Sequence, residues 1–181
     1  MPLPSRSASC APAFTLVELL LVLVLLAILT ALVAPVSGTL RARAEGVRCA
    51  SNLRSLHAAL GAYVADHARW PQQPVELKQR GAQQWWIDEL RPYGMTQEAW
   101  KCPTTNRELD EQKAGEESRP FLHYAITPFD AKQFTPYRWP TQPWAIELGD
   151  VHGDGNLMLF PDGSIRSLQT VYRKLKRKRP I

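Results

Sequence analysis

The chain reads as an α+β protein in which one long N-terminal helix, apolar in its first half and amphipathic in its second, packs on a small antiparallel sheet. Three observations predict this. Residues 14–36 contain 19 apolar residues out of 23; residues 49–67 carry apolar side chains at helical spacing; and residues 71–161, which hold ten of the 15 prolines, contain short apolar runs set between turn residues. With 181 residues, 45% apolar and 22% charged, the chain has the size of one ordinary domain behind a single apolar segment. One segment is too few for a polytopic transporter, and a wholly cytosolic enzyme would carry it only as a liability.

The first element is the apolar run. Leu19 to Ala34 are 16 uninterrupted uncharged residues, longer than the apolar core of a cleavable secretory signal. With Phe14–Val17 the stretch reaches about 34 Å at ~1.5 Å per residue, enough to cross roughly 30 Å of hydrocarbon. Cys10 precedes the run rather than following it, which excludes a lipoprotein signal. Glu18 is the odd residue, a carboxylate that costs a few kcal/mol if held deep in lipid. Either it lies solvated at the interface or it has a partner.

The polar leader Met1–Ala13, with its Arg6, followed by Phe14-Thr15-Leu16-Val17-Glu18 at the head of a long apolar helix, resembles the type III signal of type IV pilins and type II secretion pseudopilins. The resemblance implies that a prepilin peptidase cuts between Ala13 and Phe14 on the cytoplasmic side and that the new amino group is methylated. This chain has Ala13 where the family usually has Gly. It also implies a partner for Glu18, the N-terminal amine of a neighbouring subunit in a filament. Pro35 stands where many pilins place a kinking proline. The basic residues flanking the run, Arg6 before it and Arg41, Arg43 and Arg48 after it, point by the positive-inside tendency to the opposite orientation; the motif is given precedence.

After Pro35 and Gly38, where a bend or local break is predicted, Cys49, Leu53, Leu56, Leu60, Tyr63 and His67 form one helical stripe. Arg48, Asn52, Ser55 and Ala59 fall on other faces. Trp70-Pro71 ends the pattern, so the helix is predicted from about Phe14 to about Ala68. Arg48-Cys49-Ala50-Ser51-Asn52-Leu53, followed by Ala62-Tyr63, Asp66 and Trp70-Pro71, resembles a pseudopilin-like subfamily.

In the loop-rich remainder, a short helix is predicted over 83–90 with Trp86, Ile87 and Leu90 buried. Strands are predicted over 121–126, 144–147, 156–160 and 165–168. Cys49 on the stripe and Cys102 in Lys101-Cys102-Pro103 are read as a disulfide, which would close a loop of about 50 residues and contribute about 2–4 kcal/mol, or as two separately buried thiols. Zinc is the least favoured reading, because no second Cys or His stands at ligand spacing from either.

Residues 150–168 carry His152, nine intervening residues, then Asp162-Gly163. This spacing resembles a C-terminal motif of bacterial pseudopilin-like proteins. Pro161, Asp162 and Gly163 suit a tight turn between two strands, and His152 is predicted to hydrogen-bond across that hairpin. No cofactor is called for; the one candidate ion is calcium, on Asp150, His152, Asp154 and Asp162, since hard oxygen donors suit it and some major pseudopilins bind it in a C-terminal loop, although the spacing is not that of an EF-hand. A catalytic His–Asp pair has no nucleophile motif beside it. Six basic residues fill positions 173–179; with Arg6 they exceed the net charge of +5, leaving −2 for residues 14–172. Such a run reads as a solvated, disordered end, or as a site for DNA, anionic lipid or an acidic partner.

The expected organisation is a cytoplasmic leader (1–13), a transmembrane and assembly helix (14–36), an amphipathic stem (37–70), a periplasmic globular domain (71–170) and a basic tail (171–181). The resemblance implies a pseudopilin, not an enzyme: a single-pass inner-membrane subunit of a periplasmic filament in a type II secretion-like system. Its partners would be prepilin peptidase, other pseudopilins and an inner-membrane assembly platform. The alternative is a minor type IV pilin or a pilin-like subunit that binds DNA or a surface.

Overall fold

The structure, a computed structural model, describes residues 15–112, 122–149, 152 and 155–177, except the side chains of 32–37 and 79. The predicted cleavage pair Ala13–Phe14 and the predicted ion ligands Asp150 and Asp154 lie outside the described residues. The chain divides into two compact units, Met1–Arg41 and Ala42–Ile181.

Helix α1 spans Leu16–His67 and continues through Pro35 and Gly38, so of the bend or local break predicted there, no break interrupts the helix. In the first unit its apolar side chains are exposed: Leu16 is 76% accessible and Leu29 57%. Among the described residues no helix is long and apolar enough to cross a membrane. The apolar run continues into residues 32–36, whose side chains lie outside the description.

In the second unit α1 becomes the floor of the core. Cys49, Leu53, Leu56, Ala59, Leu60, Tyr63 and Val64 are all buried. Two assignments of the stripe are corrected. Ala59, placed on another face, is fully buried, because a helix packed on a sheet buries a face wider than one row of side chains. His67, placed on the stripe, is exposed and meets the Tyr93 hydroxyl at 3.0 Å. Ala68, at φ 51°, turns the chain out of the helix.

Helix α2 (Gln79–Leu90) buries the three predicted side chains, Trp86, Ile87 and Leu90. After 3₁₀ turns at Arg91–Tyr93 and Glu98–Trp100, α3 (Pro103–Glu111) opens with a proline whose missing N–H costs nothing in a first turn. Cys102 is its N-cap.

Strands β1 (Tyr124–Ile126), β2 (Ala145–Glu147), β3 (Leu157–Leu159) and β4 (Ile165–Ser167) form an antiparallel meander in chain order. The register sets Tyr124 opposite Glu147, Ala145 opposite Leu159, and Leu159 opposite Ile165. Between β1 and β2 lies the short helix α4 (Thr135–Arg138).

Trp70, Trp100 and Trp144 are fully buried. The indole N–H groups of Trp70 and Trp144 donate to the carbonyls of Thr127 and Pro136, at 3.1 and 2.8 Å, whereas the buried Trp100 N–H has no partner among the described residues. The tail differs from expectation: Leu168–Arg177 form helix α5, with Lys174, Lys176 and Arg177 in its last turn. Cations there complement the negative end of the helix dipole. One face of α5 presents Leu168, Tyr172 and Leu175 to solvent.

Candidate functional site

Three stretches far apart in sequence converge, around Cys49 on the stem, Cys102, and the neighbouring pair Glu147 and His152. Cys49 comes from α1, Cys102 from the N-cap of α3, Glu147 from the end of β2, and His152 from the segment that follows. Their donor atoms all lie within 4.8 Å of one another. His152 Nε2 stands 3.6 Å from Cys102 Sγ and 3.1 Å from Glu147 Oε1. Both cysteines and Glu147 are completely buried, and the His152 side chain is 10% accessible.

The surrounding backbone holds each donor in place. Asn52 on α1 donates to the Lys101 carbonyl at 3.0 Å, tying the stem to the Cys102 loop. The Cys102 N–H donates to His123 Nδ1 at 2.9 Å; burial lowers the His123 pKa, which keeps its imidazole neutral and able to accept. The Leu157 N–H donates to Glu147 Oε2 at 3.4 Å, and Asn156 Nδ2 donates to the Glu147 carbonyl at 2.9 Å. Further along, Glu45 on α1 receives both the Thr104 hydroxyl and Arg107 Nη2 of α3, each at 3.1 Å. Gly46, one turn before Cys49, faces the His152 ring; a Cβ there would lie 3.6 Å from Nδ1.

Electrostatically the cluster is three acids around one base. Hydrogen bonding with Cys49 holds the Cys102 thiol far below its ordinary range, against the cost of burial and with help from His152. The same contact, together with burial, pushes Cys49 up. Burial pushes Glu147 up against its hydrogen bond with His152. His152 is raised to about 10 by Cys102 and then by Glu147. The opposite shifts of Cys102 and His152 run toward a thiolate–imidazolium pair, whereas those of Cys49 and Glu147 run toward their neutral forms.

The sequence-predicted residues divide as follows. Cys49 and Cys102 are brought together as free thiols. His152 is not engaged across the β3–β4 hairpin as predicted. His57 fills that role, with Nε2 donating to the Pro161 carbonyl at 3.0 Å, while His152 turns to Cys102 and Glu147. Asp162 is a turn residue: its carboxylate accepts the Ser164 N–H at 3.0 Å and pairs with Arg166 at 3.1 Å. Gly163, at φ 74°, supplies the left-handed residue of that turn. Glu18 caps α1: its Oε2 accepts the Thr15 N–H and hydroxyl at 3.1 and 3.0 Å, and its own N–H donates to Thr15 Oγ1 at 3.2 Å. This is a capping box, and Thr-x-x-Glu before an apolar run is its sequence signature.

Two features escaped the sequence reading. Glu147 gave no signal beyond being a carboxylate at the end of an apolar strand. The metal-ligating potential of the cysteines was set aside on local spacing, whereas the second pair of donors arrives from 45 and 50 residues beyond Cys102. Compared with family models, curated proteins and solved structures, the chain matches none.

Proposed function

We propose that this chain is a pseudopilin-type structural subunit, processed before Phe14, anchored in the inner membrane by the first part of α1 and assembled into a periplasmic filament. The observation that carries the reading is the unbroken exposure of Leu19, Leu20, Leu21, Val22, Leu23, Val24, Leu25 and Leu26, each at least 43% accessible. Eight consecutive helical positions cover every face of the cylinder, and a helix apolar all round belongs in lipid or inside a bundle of other helices. The later part of the same helix is the floor of a sheet-covered core, so one element serves as both anchor and foundation. In this reading Glu18 exchanges its Thr15 donors for the methylated amine of a neighbouring subunit.

Intact mass and N-terminal analysis of protein recovered from membranes of a host with a prepilin peptidase test the proposal. A chain that begins at N-methyl-Phe14 is expected. A chain still beginning at Met1 in a competent native host overturns it and leaves an ordinary anchored protein.

A second reading, a pilin-like subunit that captures DNA or an anionic surface, is favoured by α5, where Arg173, Lys174, Lys176 and Arg177 gather on a short exposed helix. Substituting Lys174, Lys176, Arg177, Lys178 and Arg179 by Gln separates the two. Loss of DNA binding with normal assembly supports the second reading; unaltered binding excludes it.

A further inference from the structure

We propose that Cys49, Cys102, Glu147 and His152 form a four-ligand zinc site that clamps the stem half of α1 to the start of α3 and to the end of β2. The donor set selects the metal. Two sulfurs and an imidazole suit a borderline cation such as Zn²⁺, whereas calcium and magnesium take oxygen donors. The dimensions agree as well. With Zn–S near ~2.3 Å and Zn–N or Zn–O near ~2.0–2.2 Å, a tetrahedron has edges of about 3.6 Å between S and N and about 3.4 Å between N and O. The corresponding separations are 3.6 Å for Cys102 Sγ to His152 Nε2 and 3.1 Å for His152 Nε2 to Glu147 Oε1.

The imidazole nitrogen is the most telling atom. His152 Nε2 faces a carboxylate oxygen and a sulfur at once, and a second sulfur completes the group within 4.8 Å. A disulfide would need neither the imidazole nor the carboxylate, and it would leave the fully buried Glu147 with no cation except an imidazolium. A zinc ion uses all four donors. Two protons leave the cluster for solvent as the ion binds, so that both sulfurs ligate as thiolates and His152 as a neutral imidazole, and Zn²⁺ offsets two of the three negative charges on the two thiolates and the carboxylate. The remainder faces the Leu157 N–H and the N-terminal end of α3.

The site is closed. Four protein donors fill a tetrahedron, three of them have no solvent exposure, and no position remains for a reacting water, which marks the role as structural. What zinc joins also meets through polar contacts, Asn52 to the Lys101 carbonyl and Glu45 to Thr104 and Arg107, and through the shared core of Leu53, Trp100, Tyr124 and Ala145. Coordination would also keep two adjacent thiols from oxidising to a disulfide in an oxidising compartment.

The test uses the full chain exported by a host and purified in detergent without chelator or reductant. Elemental mass spectrometry should find about one zinc per chain, and maleimide should modify Cys49 and Cys102 only after EDTA treatment. The metal-depleted chain titrated with Co²⁺ should show the visible bands of tetrahedral cobalt together with a thiolate charge-transfer band. His152→Ala should weaken Zn²⁺ binding by roughly 100-fold or more. A zinc-free chain whose mass is two hydrogens lighter, reporting a Cys49–Cys102 disulfide, overturns the proposal. So does a zinc-free chain with two thiols that maleimide modifies without EDTA, or undiminished zinc in His152→Ala. Should that variant fail to fold, the zinc content and cobalt spectrum of the unaltered chain decide the matter, since neither depends on a substitution.

Discussion

Thr15 and Glu18 cap each other at the head of α1: the Glu18 carboxylate accepts the Thr15 N–H at 3.1 Å, and the Thr15 hydroxyl accepts the Glu18 N–H at 3.2 Å. The proposed filament would give this glutamate a second role, between subunits, to be separated from the one it has within its own helix. Thr15→Ala removes the cap and should cost the helix about 0.5–2 kcal/mol while leaving filament assembly intact. Glu18→Ala removes both and should abolish assembly. Sedimentation of sheared or cross-linked filaments checks the pair, and equal loss in both variants would assign Glu18 to capping alone.

His57 holds the β3–β4 turn to the stem. Besides donating to the Pro161 carbonyl, its ring stacks on Trp144 at 4.9 Å between centroids. His57→Ala should cost about 1–3 kcal/mol, the sum of a lost hydrogen bond and a lost ring contact. Urea unfolding followed by tryptophan fluorescence in detergent reads it directly, because Trp144 is the ring uncovered.

Gly163 meets the same histidine from the other side. At φ 74° an L side chain is strained, and a Cβ would lie 3.4 Å from His57 Cε1. Gly163→Ala should lower stability by about 1–2 kcal/mol. Gly163→Asn should lower it less, since Asn tolerates the left-handed region. Equal midpoints for the two variants in urea would show that crowding against His57, not backbone strain, sets the cost.

The stem face should behave as core. Leu56 is fully buried and Arg54, on the opposite side, is exposed. Leu56→Ala should cost about 2–5 kcal/mol, and Arg54→Ala should stay within about 0.5 kcal/mol. Denaturation midpoints of the two variants beside the unaltered chain settle the contrast.

Much of the fold could be read from local pattern. The runs 144–147, 156–160 and 165–168 enclose β2, β3 and β4, and the buried face of α2 follows from Trp86, Ile87 and Leu90. Local pattern failed where the outcome depended on distant partners. Ala59 is too small to register as apolar in a stripe, yet the sheet covers it. The run of charges at 173–177 reads as unstructured, yet Leu168, Val171, Tyr172 and Leu175 interleave with it at helical spacing and the chain coils accordingly. The four-donor cluster was the least legible feature. Cys49, Cys102 and the pair Glu147 and His152 follow one another at intervals of about 50 residues, and only the fold, with the end of β2 and the cap of α3 set against the stem, assembles them.

The bond from His57 to Pro161 joins residues 104 positions apart. At roughly 5–20 residues per second, a ribosome needs about 5–20 s to make that intervening stretch. During that interval Leu53, Leu56 and Leu60 gain their cover in steps, from α2, then β1, β2 and β3. The cover of the stem is therefore complete only when the last hairpin has been made. A chain cut short before Phe160 keeps α2, β1, β2 and β3 but lacks β4 and the Pro161 carbonyl that His57 grips, so the stem's cover stays open at the edge of the sheet.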